Sequence, residues 1–234
     1  MSVPPQPCPL CLAAAAPFHL REARRRMPAR DYHRCPVCAL VFVPAPFHLD
    51  PAAERAEYDL HRNDPADTGY RRFLGRLVTP LAAMLPAGAR GLDYGCGPTP
   101  ALQLLLHESG FDCATYDPHY QPDPSVLDAR YDFITCTEVA EHFAAPRQEF
   151  DLLHALLAEG GVLALMTRRP DEHTDFANWH YSRDPTHIAF YAADTLRWIG
   201  RHYGMALTLA DNDIALLHKR GVSATIPAPR PGAR

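Results

Sequence analysis

Asp93-Tyr94-Gly95-Cys96-Gly97 is the segment whose residue types and spacing most directly suit ligand chemistry. A glycine at 95 lets the chain turn tightly off a strand, and a glycine at 97 lets backbone approach a ligand closely. A Gly-x-Gly alone carries little weight, and the third glycine of a dinucleotide fingerprint is replaced by Pro100. Two acids sharpen the reading. Asp93 stands two residues before the first glycine, where a carboxylate repels a pyrophosphate but suits a cofactor bearing a sulfonium and an amino group. Asp117 closes the next strand, where an acid can accept hydrogen bonds from both ribose hydroxyls.

The second chemical signal is a pair of Cys-x-x-Cys loops, Cys8-Pro-Leu-Cys11 and Cys35-Pro-Val-Cys38, separated by 23 residues. Each loop can present two thiolates to one side of a metal, and two loops complete a tetrahedral sulfur site that suits zinc. The pattern resembles a zinc ribbon, with Leu12 and Ala39 where a glycine usually follows each pair. Disulfides or an iron–sulfur centre are the competing readings. Cys96, Cys113 and Cys136 are isolated and read as inert neighbours of a sheet.

The elements that must position these groups are read from periodicity. Residues 1–48 hold both cysteine pairs, nine prolines and an Arg-rich stretch from Arg21 to Arg30. Residues 49–85 read as a helical connector. It starts at Pro51, and its apolar residues Phe73, Leu74, Leu77, Val78, Leu81 and Met84 follow one helix face. Residues 86–220 alternate strand and helix signals. Strands are expected at Gly91 to Tyr94, Phe111 to Tyr116, Tyr131 to Thr137, Val162 to Met166, Met205 to Ala210 and Ile214 to His218. Helices are expected from Thr99 to Ser109, from Pro146 to Ala158 (ended by Gly160-Gly161) and from Thr195 to His202. Such alternation implies an α/β fold with a mostly parallel sheet. Residues 221–234, rich in Pro and Arg, read as a disordered tail.

Composition limits the partners. The 234 residues are 47% hydrophobic and 21% charged, enough for a real core, and the net charge of −4 disfavours nucleic acid as the main ligand. Lys219 is the only lysine, so the positive charge is almost all arginine. No apolar run spans a bilayer, and no signal peptide is read, so a cytoplasmic setting is expected. In that setting close cysteine pairs point to metal before disulfide. Oligomeric state is not legible.

Taken together, Asp93-Tyr-Gly-Cys-Gly97 resembles the first motif of class I S-adenosylmethionine (SAM)-dependent methyltransferases. Glu138-Val-Ala-Glu-His142 resembles their Glu-x-x-Glu-His signature, Leu157-Ala-Glu-Gly-Gly-Val their Leu-x-Pro-Gly-Gly turn, and His187-Ile-Ala-Phe-Tyr191 their late His-x-x-x-Phe/Tyr segment. The resemblance covers roughly residues 70–218. It implies a Rossmann-like sheet, with SAM held by Asp93, Tyr94, Gly95, Gly97, Asp117 and Glu138. One departure stands out: only the 13 residues Pro118 to Arg130 separate two strands between which the family usually fits a helix and a further strand. A shortened connection is expected there, leaving the adenine pocket unassigned.

Methyl transfer needs alignment of the nucleophile and sometimes a base for the acceptor's proton. His142 lies just beyond a strand's carboxyl end, although it could simply start a helix. The segment Asn178 to Tyr191 adds His187, Asp184 and Tyr191 over the same pocket. His142 or His187 is therefore the expected base, with Tyr191 and Asp184 orienting it or the acceptor. A small-molecule acceptor is the first reading. An RNA methyltransferase with a zinc module, and a non-catalytic zinc-ribbon interaction protein, are the alternatives.

Overall fold

The computed structural model describes residues 4–221, apart from residues 15, 25–26, 61–62 and 172, and says nothing of the side chains of 22–28. The expected tail thus lies outside the described residues, save Gly221.

The larger core is built on a six-stranded sheet. Its strands are β4 (Arg90–Tyr94), β5 (Asp112–Tyr116), β6 (Tyr131–Thr137), β7 (Leu157–Met166), β9 (Met205–Leu209) and β10 (Ile214–Lys219), in the order β5-β4-β6-β7-β10-β9. The pairs β5–β4, β4–β6 and β6–β7 are parallel, while β7–β10 and β10–β9 are antiparallel. The strand sequences explain the placement. Ile134, Leu163, Leu165 and Leu217 point to one face, and Phe133, Val162, Ala164, Met166 and Leu216 to the other, all within 1% of full burial. A strand buried on both faces must be a central one.

One face is covered by α2 (Thr68–Ala82) and α3 (Ala101–Glu108) through Leu74, Leu77, Leu81, Leu102 and Leu106. The other is covered by α4 (Pro146–Leu156) and α5 (Ala193–His202) through Phe150, Leu153, Leu196 and Ile199. Helix α4 stops at Leu156, earlier than its periodicity suggests. The strand begins at Leu157 and absorbs Gly160, at φ +79°, where its register with β6 shifts. The Pro118 to Arg130 connection holds only a 3-10 turn, Pro124–Asp128, so β5 forms the sheet edge.

The N-terminal residues build a second sheet, which the periodicity does not announce. Strands β1 (Phe18–Arg24) and β2 (Met27–Arg34) form a hairpin, β2 pairs with the two-residue β3 (Val41–Phe42), and β3 pairs with β8 (Ala189–Phe190). This edge strand comes from the far end of the chain. Tyr32, Val43, Phe176, Tyr181 and Phe190 pack between the sheet and the segment following β7. The cysteine loops sit on α4, where Arg147 donates from its backbone to Pro9 O at 3.2 Å and from Nε to Leu10 O at 2.8 Å. The short helix α1 (Pro51–Tyr58) is capped by Asp50, which accepts from the Ala52 and Ala53 amides. Among the described residues no helix is long and apolar enough to cross a membrane.

Candidate active site

After β4 the chain runs to the sheet edge at β5, then returns to the other side of β4 as β6. That reversal opens a crevice at the carboxyl ends of β4 and β6, the place where open α/β sheets bind ligands. Gly95 makes the turn at φ +81°. A Cβ there would lie 2.4 Å from Val139 Cγ2, so only glycine fits. Gly97, at φ +67°, has no atom within 4 Å of the position a Cβ would take, leaving its backbone open to an approaching group.

Asp93 is 3% exposed and its Oδ1 accepts from Thr135 Oγ1 at 2.8 Å. Burial first, and then the charge of Asp117, push its carboxyl up to about 7. A buried acid with one neutral donor is stabilised in its charged form by a positive charge nearby. The Asp117 carboxylate accepts from Gly97 N at 3.0 Å through Oδ2, and from His119 N and Tyr120 N at 2.8 and 3.0 Å through Oδ1. A carboxylate has about four acceptor positions, so one remains. Tyr94 turns to the α4 face, donating to Glu149 Oε2 at 2.6 Å and stacking on Tyr116.

At the end of β6, Glu138 takes φ +53°, a left-handed backbone that costs a non-glycine residue of order 1–3 kcal/mol and clusters at functional sites. Burial, followed by the neighbouring Glu141, pushes its carboxyl up to about 8. Glu141 is fully buried, with Oε1 accepting from Tyr181 Oη. His142 and His187 face each other with ring centroids 4.8 Å apart. Each has Nδ1 on a backbone carbonyl, Thr186 O at 3.1 Å for His142 and Tyr181 O at 2.7 Å for His187. Carbonyls only accept, so in the neutral rings these contacts assign the proton to Nδ1 and leave a lone pair on each Nε2. Asp184 Oδ2 lies 3.8 Å from His187 Nε2. Burial works to raise the Asp184 carboxyl, but His187, Thr186 and His142 together hold it below its usual value.

The fold thus brings Glu138, His142, Asp184 and His187 into one cluster beside the crevice that holds Asp93, Gly97 and Asp117. Tyr191 is not among them. It is fully buried, its ring packs on Phe150 and its hydroxyl donates to Ala140 O at 3.0 Å, so it meets the cluster only through the backbone before His142.

Sequence reasoning missed two tyrosines. Tyr58 on α1 packs its ring against both His119 and His142, at 5.6 and 5.1 Å, so α1 bridges the Asp117 turn and the histidine pair. Arg55 on the same helix donates to His119 O at 2.6 Å. Tyr70 on α2 is pushed up to about 12 by burial first and then by the charges of Asp93 and Glu138. The connector's amphipathic pattern identifies a helix, but nothing local shows which end reaches the site. A shallow depression of about 430 Å³ lined by Asp171, His173, Asn178 and His180 lies elsewhere and holds none of these groups.

The loop carrying Asp184 is tied to the N-terminal sheet by Arg30, which is 3% exposed. Its guanidinium donates to Ser182 O, Asp184 O and Pro185 O at 2.9–3.0 Å and to Tyr32 Oη at 2.7 Å. Replacing Arg30 with Met removes the donor to Pro185 O, while Ser182 O keeps Tyr32 Oη and Asp184 O keeps the His187 amide, and each lost partner costs about 1–3 kcal/mol. Arg30→Met is expected to lower stability by about 2–4 kcal/mol in thermal denaturation and to reduce turnover more than cofactor affinity. An unchanged melting temperature would show that the clamp contributes nothing.

The four cysteines of the two loops converge. All are free thiols, with Cys8 Sγ 3.5 Å from Cys38 Sγ, Cys11 Sγ 3.3 Å from Cys35 Sγ, and all four sulfurs within 4.8 Å of one another. Leu12 and Ala39, the residues standing where glycine is usual, have φ +62° and +61°, so the sequence departs from the pattern and the backbone does not.

The family model described as "Methyltransferase domain" matches residues 66–210. A search of curated proteins finds no match. Among solved structures, the 1,6-didemethyltoxoflavin-N1-methyltransferase of Burkholderia thailandensis, with bound 1,6-didemethyltoxoflavin and S-adenosylhomocysteine, aligns with a TM-score of 0.54 at 16% identity, over 87% of this chain and 99% of its own. A chain of the complex between the Haloferax volcanii Trm112 methyltransferase activator and a methyltransferase aligns with a TM-score of 0.51 at 13% identity, over 71% of this chain and 98% of its own. At such identities the likeness is one of fold. The family match, spanning more than half of the sequence, is what identifies the chain: it belongs to the methyltransferase-domain family and is a SAM-dependent methyltransferase domain.

Proposed function

We propose that SAM binds in the β4–β6 crevice and that its methyl group goes to a small-molecule acceptor seated against His142 and His187. The observation that carries this reading is the adjacency of a buried acid, Asp93, and an open glycine turn to a histidine pair with two Nε2 lone pairs. Bound SAM supplies an electrophilic methyl carbon on a sulfonium. Asp93 compensates positive charge, Gly95 and Gly97 allow close backbone approach, and Asp117 offers its remaining lone pair to a ribose hydroxyl. Glu138 and the backbone at Tyr94 complete the cofactor side. His142 or His187 takes the acceptor's proton, and Asp184 orients His187. Tyr191 contributes by holding the backbone at Ala140, which fixes where His142 starts.

The small-molecule reading is supported by the Burkholderia enzyme, whose fold is shared and which was solved with 1,6-didemethyltoxoflavin. An RNA acceptor is less well supported, because Arg30 is buried and Arg21 is paired with Asp31 at 2.5 and 2.9 Å. The test is transfer of labelled methyl from SAM into a cell extract separated into metabolite and RNA fractions. Label in the metabolite fraction supports the reading, and label only in RNA would overturn it.

The same proposal assigns Cys8, Cys11, Cys35 and Cys38 to one zinc ion, since four converging thiols suit tetrahedral zinc. Residues 1–48 act as the zinc module, 49–85 as a cover over the pocket and 86–220 as the SAM domain. Purified protein is expected to carry about one tetrathiolate-bound zinc per chain. Cys35→Ser should release that zinc and loosen the first sheet, while SAM binding largely survives. Elemental analysis of reduced protein showing no zinc would contradict this.

A further inference from the structure

We infer that Glu141, His142 and His187 form a binding site for a first-row divalent cation, separate from the four-cysteine cluster. The inference rests on the reading of this cluster as the acceptor side and refines the role of its histidines.

The geometry is that of a ligand set. One ligand atom from each of the three residues lies within 4.8 Å of the others. Both imidazoles have Nδ1 engaged by a backbone carbonyl, which orients the rings and leaves Nε2 as an unprotonated donor. Metal-bound histidines are held in this way, with the other ring nitrogen on a carbonyl or carboxylate. Glu141 supplies the independent observation. It is 0% exposed, its Oε1 is taken by Tyr181, and its Oε2 is buried without a hydrogen-bond partner. Glu138 Oε1 is buried and unpartnered as well. A buried carboxylate oxygen without a donor is costly unless a cation meets it.

Asp184 adds to this. Its Oδ1 accepts from Thr186 N at 2.8 Å and Thr186 Oγ1 at 2.5 Å, which leaves Oδ2 facing His187 Nε2 at 3.8 Å. In the neutral His187 ring, with its proton on Nδ1, two acceptors face one another with no proton between them. A cation relieves that contact.

Two imidazoles and a carboxylate select Mn²⁺, Fe²⁺, Co²⁺ or Zn²⁺ over Mg²⁺ or Ca²⁺, which prefer all-oxygen sites. Three protein ligands leave coordination positions open, and these face the region where the acceptor is seated. In the metal-loaded protein the cation would bind an acceptor oxygen with His142 and His187 as its ligands, and in the metal-free protein their Nε2 lone pairs stay available for the acceptor's proton. The loaded site selects acceptors with a hydroxyl next to a second oxygen or nitrogen donor.

The test uses full-length, zinc-loaded protein and Mn²⁺ as probe, because Mn²⁺ competes poorly for thiolates. Free Mn²⁺ is followed by electron paramagnetic resonance, and S-adenosylhomocysteine affinity is measured on the same samples. The wild type is expected to bind one Mn²⁺ per chain. Glu141→Gln, which keeps an acceptor for Tyr181, and His142→Ala, at a partly exposed position, should each weaken Mn²⁺ by about 100-fold or more, since loss of an outer-shell partner alone costs about 10–100-fold. If Glu141→Gln fails to fold, His142→Ala with intact S-adenosylhomocysteine binding still decides. Wild-type protein that binds S-adenosylhomocysteine but no Mn²⁺, or Mn²⁺ binding that survives both substitutions, would overturn the inference and leave the proposed function standing. Failure to bind S-adenosylhomocysteine would strike the proposed function instead.

Discussion

In the metal-free protein, His187→Ala is expected to slow methyl transfer by about 10²–10⁴-fold, the usual cost of losing a proton-accepting group. The affinity for S-adenosylhomocysteine should change by less than about threefold, because the proposed function seats this ring against the acceptor and not the cofactor. His187 is 8% exposed, its Nδ1 is fixed on Tyr181 O, and its remaining nitrogen faces Asp184 and His142. Burial above all depresses its protonation below the ordinary value of 6.5, with His142 acting in the same sense. The neutral ring therefore dominates at neutral pH. The rate should rise with pH through a value below 6.5 and then level off, and His187→Ala should remove that limb. The same depression makes a stability statement. A histidine whose folded value is lowered contributes stability above its unfolded value, and this is lost as pH falls through that window. His142→Ala is the companion measurement, since its ring is only partly buried and is shared with Tyr58. A residue that only supported the fold would lower stability and cofactor affinity together. If neither substitution costs more than a few-fold in turnover, transfer here rests on proximity alone.

Cofactor affinity is expected to rise close to tenfold between about pH 6 and 7.5, and Asp93→Asn should flatten that rise while weakening binding roughly 10- to 100-fold. Asp93 is held near 7 without ligand, so most of it is protonated a unit below that value. A cationic ligand binds the ionised form, so binding expels a proton and strengthens as pH climbs through 7. Loss of the ligand's own ammonium charge, near about pH 7.7–8.0 for an α-amino group, turns the curve over above that. The unliganded protein should show the opposite trend. Raised folded values at Asp93, and at Glu138 near 8, give stability that is full below about 4 and lost as pH rises through 7 to 8. Calorimetric titration across pH, with melting temperatures of the unliganded protein, checks both signs. A pH-independent affinity would mean that Asp93 does not face the cofactor's charge.

Most of the central sheet is legible in the sequence, because strands buried on both faces carry unbroken apolar runs such as Phe133-Ile134 and Val162 to Met166. The shortened Pro118 to Arg130 connection is equally readable from its prolines. The N-terminal hairpin is not. Its strands, FHLREAR and MPARDYHR, carry charges at many positions, and their pairing depends on partners distant in sequence, down to Ala189–Phe190. The site divides in the same way. Asp93, Gly95 and Gly97 announce themselves by local turn chemistry. The meeting of His142 with His187, and of Tyr58 with both the Asp117 turn and His142, depends on tertiary packing that no local spacing encodes. Glu141 stands inside a recognisable motif, yet only the fold shows it to be fully buried with an unpartnered oxygen.

Binding of S-adenosylhomocysteine by calorimetry, wild type against Asp117→Ala, tests the central claim most directly. Asp117 holds three backbone amides of the turn and has one acceptor position left for a ribose hydroxyl. The wild type should bind the ligand and prefer it strongly to NAD. The substitution should cost about 1.5–3 kcal/mol, since these are hydrogen bonds to a charged group. Gly97→Val should cost more by closing the backbone approach. Unchanged affinity in Asp117→Ala, at a melting temperature showing a folded chain, would contradict the placement of the cofactor in the β4–β6 crevice.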